Sequence, residues 1–310
     1  IGAKAQRMGH YHIKDFEAIS GIKAHTIRIW EQRYGLLKPT RSETNIRQYG
    51  DDELTLLLNI SMLNRNGFKI SRVAKMSRAE IEQKVRSITT TNLEHANQVD
   101  ALTITMLELD ENEFDRVLNV NIAQLGFEEA MELVVFPFLR NLGILWQTGT
   151  INPAQEHFIS NLIRQKLIVA IDRMNVAKNE AISKSLLFLP EGEMHELGLL
   201  YLNYLLHKNH HQVMYLGQNV PLRDVEKVVD IFKPDQVFSI FTSVPAASQI
   251  AGYIADLSKI MSEGQIYLSG YAFQLYAAKV PQNVVLIKEM ADIRTVINSK
   301  LGLILNTSEK

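Results

Sequence analysis

The spacing Glu193-x-His195-x-x-Gly198 places a carboxylate two residues from an imidazole, a combination suited to holding a metal. Which imidazole nitrogen meets a metal is set by the bond the other one makes, and a neighbouring carboxylate orients the ring and sets its basicity. Just before it, Ser185-Leu-Leu-Phe-Leu189 is a short continuous apolar run of the kind a buried parallel strand shows, and Leu197 to Leu206 continues with a helical pattern. His195 therefore belongs on a strand-to-helix loop at the carboxyl end of a sheet, where open α/β folds bind ligands, and it can rise there to meet a metal-centred cofactor. The competing reading is a histidine that braces a loop in a flavodoxin-like domain with no ligand.

The elements around it follow one rhythm. Apolar runs at Val213-Met-Tyr-Leu216, Gln236 to Phe241, Gln265-Ile-Tyr-Leu268 and Val284-Val-Leu-Ile287 alternate with helix-length segments, which predicts five strands in a doubly wound parallel sheet. His207, His210 and His211 read as closing a helix C-terminus.

Upstream, Trp146 is followed by nine residues and then Glu156-His157. Asn152 is a good N-cap, Pro153 suits the first helical position and Gln155 completes a capping-box spacing, so a helix begins there with the Glu-His pair in its opening turns. Taken alone, this reads first as a core tryptophan in a four-helix bundle beside a surface pair. Arg78 to Met174 reads as helical throughout, with a helix start at Glu111 after an acidic turn and helix breaks at Pro137 and Gly143.

Near the amino terminus, Ile13, Phe16, Ile19, Ile22, Ile27 and Trp30 are spaced as two short helices sharing one small core, broken at Gly21. Residues Tyr34 to Pro39 and Arg41 to Tyr49 then form a wing, and Asp51 caps a helix from Asp52 to Asn66 that ends at Gly67. A recognition helix offers donors to base edges from its first turns, with phosphate contacts around it. Lys23, His25 and Arg28 are the candidates on the helix, and Arg41, Asn45, Arg47 and Tyr49 those on the wing.

Charge agrees with that reading. Residues 1–78 hold 14 Lys and Arg against 7 Asp and Glu, while the remainder holds 19 against 27, so a nearly neutral chain joins a basic arm to an acidic body. The length of 310 residues suits two or three domains, and no apolar run is long enough for a membrane span. Cysteine is absent, which excludes thiolate and iron-sulfur sensing. No long heptad follows the wing, so self-association falls to the carboxyl-terminal body as a homo-oligomer, dimer or tetramer.

Three resemblances meet in this chain. The Glu193/His195/Gly198 loop is similar to the cobalamin-binding domain of corrinoid proteins, which adds a serine on the third strand, here Ser239, and a Gly-Gly pair after the fourth, here Ser269-Gly270. The Trp146, Glu156-His157 pattern resembles the helical cap of light-dependent repressors of the CarA, CarH and LitR type. Residues 13 to 77 resemble the MerR-type DNA-binding domain in its Trp-Glu-Gln-Arg-Tyr-Gly variant, with Lys23 where a Ser or Thr N-cap is common. The departure in the cap is Gln147, where light-sensing members carry a histidine.

The resemblance implies a winged helix-turn-helix at 10–78, a four-helix-bundle cobalamin cap at 79–178 and a Rossmann-like, flavodoxin-like cobalamin-binding domain at 183–305. It implies adenosylcobalamin with His195 as the lower cobalt ligand, Glu193 and Ser239 behind it, and Trp146, Glu156 and His157 over the upper face. The implied activity is that of a cytoplasmic, non-enzymatic photoreceptor repressor on double-stranded operator DNA of carotenoid or light-response genes. Two alternatives stay open: a cobalamin-independent repressor with a degenerate pocket, and a corrinoid carrier for a methyltransferase.

Overall fold

Phe16, Ile27 and Trp30 come together where the two short predicted helices meet, α1 over Ile13–Ser20 and α2 over Ala24–Tyr34. Each ends on a glycine in the left-handed conformation, Gly21 at φ +69° and Gly35 at φ +62°, which lets the chain turn sharply without a Cβ penalty. In this computed structural model, residues 11–91, 94–147, 151–174, 181–242, 247–274, 279–288 and 292–297 are described. They divide into two units, Ile1–Leu162 and Ile163–Lys310.

In the first unit the wing is a two-stranded antiparallel ribbon, β1 Thr40–Arg41 and β2 Arg47–Gln48, turned by Asn45 at φ +62°. A bridge from Tyr49 back to Tyr11 ties it to the chain entering α1. Helix α3 (Asp51–Arg65) is buried along most of its length. Its N-cap is Gly50 rather than Asp51: Gly50 N–H donates to Glu53, while buried Asp51 accepts from the Tyr11 hydroxyl at 2.7 Å. The carboxylate at 51 is drawn inward by a long-range donor that local spacing does not reveal.

A short turn α4 (Ile70–Val73) leads to α5 (Arg78–Thr91), which Ser77 and Glu80 start with reciprocal capping bonds. Then come α6 (His95–Glu108), α7 (Glu111–Leu125), α8 (Phe127–Ala130), a π-helical turn Met131–Val135, α9 (Phe136–Gln147) and α10 (Pro153–Asp172). Asp110 caps α7 by accepting Glu113 N–H, in keeping with the helix start read at Glu111. The interruption expected at Pro137 takes the form of a π turn just before it, while the one expected at Gly143 is absent. The wide π turn just before Pro137 accommodates its missing N–H, and Gly143 lies inside α9 without ending it. No helix among the described residues is long and apolar enough to cross a membrane.

The second unit is built on a five-stranded parallel sheet in the order β4-β3-β5-β6-β7, formed by β3 (Ser183–Pro190), β4 (His211–Val220), β5 (Gln236–Ile240), β6 (Gln265–Ser269) and β7 (Val284–Ile287). Helices α11 (Leu197–Lys208), α12 (Leu222–Phe232), α13 (Ala247–Ile260) and α14 (Tyr271–Gln274) connect successive strands. On β3 every residue but Lys184 is buried, as a central strand covered on both faces requires. Leu186 and Phe188 join Val237, Phe241, Ile254 and Leu257 in one core, each such side chain contributing roughly 1.5 to 3 kcal/mol by burial.

Strand order reverses at β3: the chain moves outward to β4, then returns past β3 to β5. The carboxyl ends of β3 and β5 therefore flank the switch point, where α/β sheets of this kind open a ligand crevice.

His211 corrects the helix-terminus reading. It is the first residue of β4 and fully buried, its Nδ1 3.0 Å from Ser185 Oγ and 2.9 Å from Gln236 Nε2. His207 does lie in the last turn of α11, where burial pushes its imidazole below the ordinary histidine range.

Candidate functional site

Leu189 and Pro190 end β3, and the loop that follows turns through Gly192 at φ +84° before α11 begins. Side chains from the end of β4 brace that loop. Asn219 Oδ1 accepts Gly192 N–H at 2.8 Å, Asn219 N–H donates to Glu193 O at 3.2 Å, and Gln218 Nε2 donates to Met194 O at 2.5 Å.

Within it, Glu193 is a convergence point. Oε1 accepts the backbone N–H groups of Met194 and His195 at 3.0 and 3.1 Å and lies 2.5 Å from His195 Nδ1, and Oε2 accepts Thr242 N–H at 2.8 Å. With three backbone N–H groups directed at it, the carboxylate acts as an acceptor, so Nδ1 donates to it and Nε2 is the ring nitrogen on the far side. Only 4% of the Glu193 side chain is exposed, against 66% of that of His195. A buried carboxylate thus holds an exposed imidazole by Nδ1, with Nε2 on the side of the ring away from the anchor, an arrangement that suits a histidine to metal binding.

Thr242, just beyond β5, was missed by sequence reasoning because it contributes a backbone N–H. Its bond to Glu193 spans the switch point from the β5 side to the β3 side. Ser239 does not take that place. It is buried on β5, opposite Phe188 and Leu268, with no hydrogen-bond partner for its hydroxyl among the described residues. By strand alternation it shares a face with Val237 and Phe241.

Ser269 is the last ladder residue of β6, its carbonyl accepting Phe241 N–H at 2.8 Å. Gly270 follows at φ +117°, and a Cβ there would lie 2.2 Å from Phe241 O, so a glycine is required where the backbones meet. Gly198 is milder: a Cβ would sit 3.3 Å from the Ile240 side chain. The buried Ser239 hydroxyl fits a ligand that brings a polar atom close to the sheet, whereas the space beside Gly270 is taken by the Phe241 backbone.

In the first unit, Asn152 Oδ1 accepts Ala154 N–H at 2.9 Å and Gln155 Oε1 accepts Asn152 N–H, giving α10 the capped start that the sequence predicts. Glu156 binds Ser160 Oγ through Oε1 and lies 2.9 Å from the exposed His157 Nδ1 through Oε2. Trp146 and Gln147 lie in the last turn of α9, and their side chains fall outside the described residues.

On the helix-turn-helix, the lack of a Ser or Thr N-cap at Lys23 is made good by Glu17. Its carboxylate accepts Ala24 N–H at 3.1 Å and binds Lys23 Nζ at 3.0 Å, and these donors hold it below the usual carboxylate range, Lys23 foremost. His25 and Arg28 are exposed along α2. On the wing, exposed Arg41 Nη1 bonds Asn45 Oδ1 at 2.7 Å and so braces the turn.

Arg47 and Tyr49 turn inward. Arg47 Nε bonds both oxygens of Glu31 at 3.1 Å, and the Tyr49 hydroxyl donates to the same carboxylate at 3.2 Å. Tyr49 is 2% exposed, with its ring 4.4 Å from that of Phe16, so it has no surface to offer DNA. The shared partner, Glu31 on α2, locks the wing to the recognition helix.

Residues 11–80 match the MerR HTH family of regulatory proteins, and residues 98–170 match the B12 binding domain. The chain is 28% identical to the HTH-type transcriptional repressor CarH of Myxococcus xanthus, over 86% of this chain and 91% of that protein. It is 26% identical to the repressor CarA of the same organism, over 83% and 85%. Among solved structures it is similar to a monomethylamine corrinoid protein of Methanosarcina barkeri, at 13% identity over 71% of this chain and 98% of that one, with a TM-score of 0.46.

Proposed function

We propose, for a chain homologous to the CarH and CarA repressors that joins a MerR-type helix-turn-helix to a B12-binding domain, that it is a cobalamin-sensing transcriptional repressor. The observation that carries this reading is His195, held through Nδ1 by buried Glu193 at the switch point of the sheet, in the same chain as a basic winged helix. His195 would hold cobalt through Nε2, with Glu193 fixing its tautomer and Thr242 N–H fixing Glu193. Ser239 would supply its hydroxyl to the buried nucleotide tail, and Gly270 would let the chain after β6 pack against the Phe241 backbone.

Adenosylcobalamin, when bound, supplies a cobalt centre with a light-labile cobalt-carbon bond. Trp146, Glu156 and His157 would be the cofactor residues of a cap at 79–178, while 10–78 would bind DNA and 183–305 would carry His195. Lys23, His25, Arg28, Arg41 and Asn45 would face operator DNA. The protein would act in the cytoplasm, without catalysis, as a dimer or tetramer that holds DNA in the dark and releases it in light.

The test is an absorption spectrum of purified protein mixed with adenosylcobalamin, before and after green light, alongside duplex binding and gel filtration. A histidine-ligated spectrum, with DNA binding and self-association lost on illumination, is the expected result. Failure to retain cobalamin through gel filtration, with DNA binding intact, would overturn it in favour of a cobalamin-independent repressor.

A further inference from the structure

Among the described residues 11–80, two large apolar side chains are exposed, Ile29 at 49% and Ile46 at 54%, and they fall on the recognition helix and on the wing. Elsewhere in this region the apolar residues serve the core. Ile27 and Trp30, the immediate neighbours of Arg28 and Ile29 along α2, are buried. The opposite face of α2 carries His25, Arg28, Ile29 and Gln32, all exposed and spaced three or four residues apart, so they form one stripe down the helix. Three of the four are polar. Ile29 is the apolar member, and its exposure is unexplained by anything inside the fold.

The surroundings identify what would cover it. Arg28 adjoins Ile29, His25 lies one turn before it, and the N-terminal region carries the chain's excess of positive charge, so the stripe is complementary to a polyanion. The second helix of a helix-turn-helix lies in the major groove of duplex DNA. In that groove the chemical feature suited to an aliphatic side chain is the 5-methyl group of thymine, while the other base edges present hydrogen-bond donors and acceptors.

We propose that Ile29 is a specificity-determining residue that reads a thymine 5-methyl group in the major groove, beside polar or phosphate contacts from His25 and Arg28. The inference rests on the DNA-binding reading above and goes beyond it by assigning the base chemistry. It also predicts a preference that no charged residue of the stripe would produce: for thymine over uracil at the contacted position, since the two differ only by that methyl.

The experiment uses the full chain, with adenosylcobalamin in the dark, and the tightest duplex that wild-type protein enriches from a randomised pool. Each thymine of that duplex is replaced in turn by deoxyuridine. At one or two positions in each half-site the wild type should lose about fourfold in affinity, the equivalent of burying one methyl group. Ile29→Ala should bind the thymine duplex about as weakly as wild type binds the uracil one, with no further loss on replacement. Because Ile29 lies outside the core, the variant should keep the wild-type melting curve. Absence of thymine-uracil discrimination in the wild type, or its full retention in Ile29→Ala, overturns the assignment. A pool from which no duplex is enriched overturns the DNA-binding reading and this one with it.

Discussion

Nδ1 of His195 stands 2.5 Å from Oε1 of Glu193, and the other oxygen of that carboxylate accepts Thr242 N–H at 2.8 Å. The imidazole is therefore anchored from both sides of the sheet's switch point. Glu193→Gln keeps the volume but replaces one acceptor oxygen by an NH2 group that cannot accept, so either Thr242 N–H or the His195 bond is lost. The expected outcome is a 10- to 100-fold loss of affinity for adenosylcobalamin, and complete loss of the histidine-ligated spectrum in His195→Ala. Titration followed by absorbance checks both. Wild-type spectra and affinity in His195→Ala would remove His195 from cobalt.

The His195 loop was legible because its parts are local: an apolar run, a three-residue motif and a helical pattern follow one another in sequence. All five strands were readable for the same reason, since each carries a short apolar run between helix-length segments, buried on β3 and β5 and half-buried along most of β4. What escaped was decided by partners far along the chain. Nothing near Arg47 or Tyr49 shows that Glu31 claims both, and nothing near His211 shows that Ser185 and Gln236 enclose it. Thr242 escaped because motif reading tracks side chains while its contribution is a backbone N–H.

The two glycines of the candidate cobalamin site should separate fold from ligand. Gly270→Ala places a methyl 2.2 Å from Phe241 O in a left-handed backbone conformation, and should destabilise the second unit by about 2 kcal/mol or more. Gly198 lies in the first turn of α11, where alanine gains helix propensity and needs only a small shift of the Ile240 side chain, so Gly198→Ala should stay within about 1 kcal/mol of wild type. Urea unfolding followed by circular dichroism measures the difference. Equal midpoints for the two variants would contradict the close approach at Gly270.

Asp100 on α6 pairs with Arg65, the last residue of α3, and burial raises its carboxyl to about 6 even though Arg65 pulls it down. A raised pKa means the folded state binds the proton more tightly than the unfolded chain. The stabilisation from this group is therefore full below about pH 4 and lost as pH rises through about 6. A shift of about two units corresponds to roughly 3 kcal/mol. Asp100→Asn should remove that share of the pH dependence between 4 and 6, measured as the difference in unfolding free energy from wild type. A difference that stays constant across the interval would show that Asp100 does not titrate there.

Gln147 bears on what happens after illumination. An amide oxygen is weakly basic beside an imidazole nitrogen and is a poor ligand for cobalt. The protein should retain cobalamin less firmly after green light, and Gln147→His should retain it more firmly. Dialysis of illuminated samples, with cobalamin read by absorbance, compares them. Bis-histidine absorption in illuminated wild type that survives His157→Ala would refute this.

Arg28 and Arg47 should differ in kind. Arg28 is exposed on the stripe of α2, so Arg28→Ala should lower the salt slope of DNA binding by about one if it meets a phosphate, or cost roughly 1 to 3 kcal/mol at one base position if it reads a base. Arg47 is clamped by Glu31, and its substitution should act by loosening the wing. Affinity then falls with the salt slope unchanged, because no phosphate contact is removed. Glu31→Gln supplies the control. It breaks the clamp while adding positive charge to the domain, so a purely electrostatic effect would strengthen binding, whereas a positional one weakens it as Arg47→Ala does. Tighter binding by Glu31→Gln, together with a reduced salt slope in Arg47→Ala, would return Arg47 to the DNA interface.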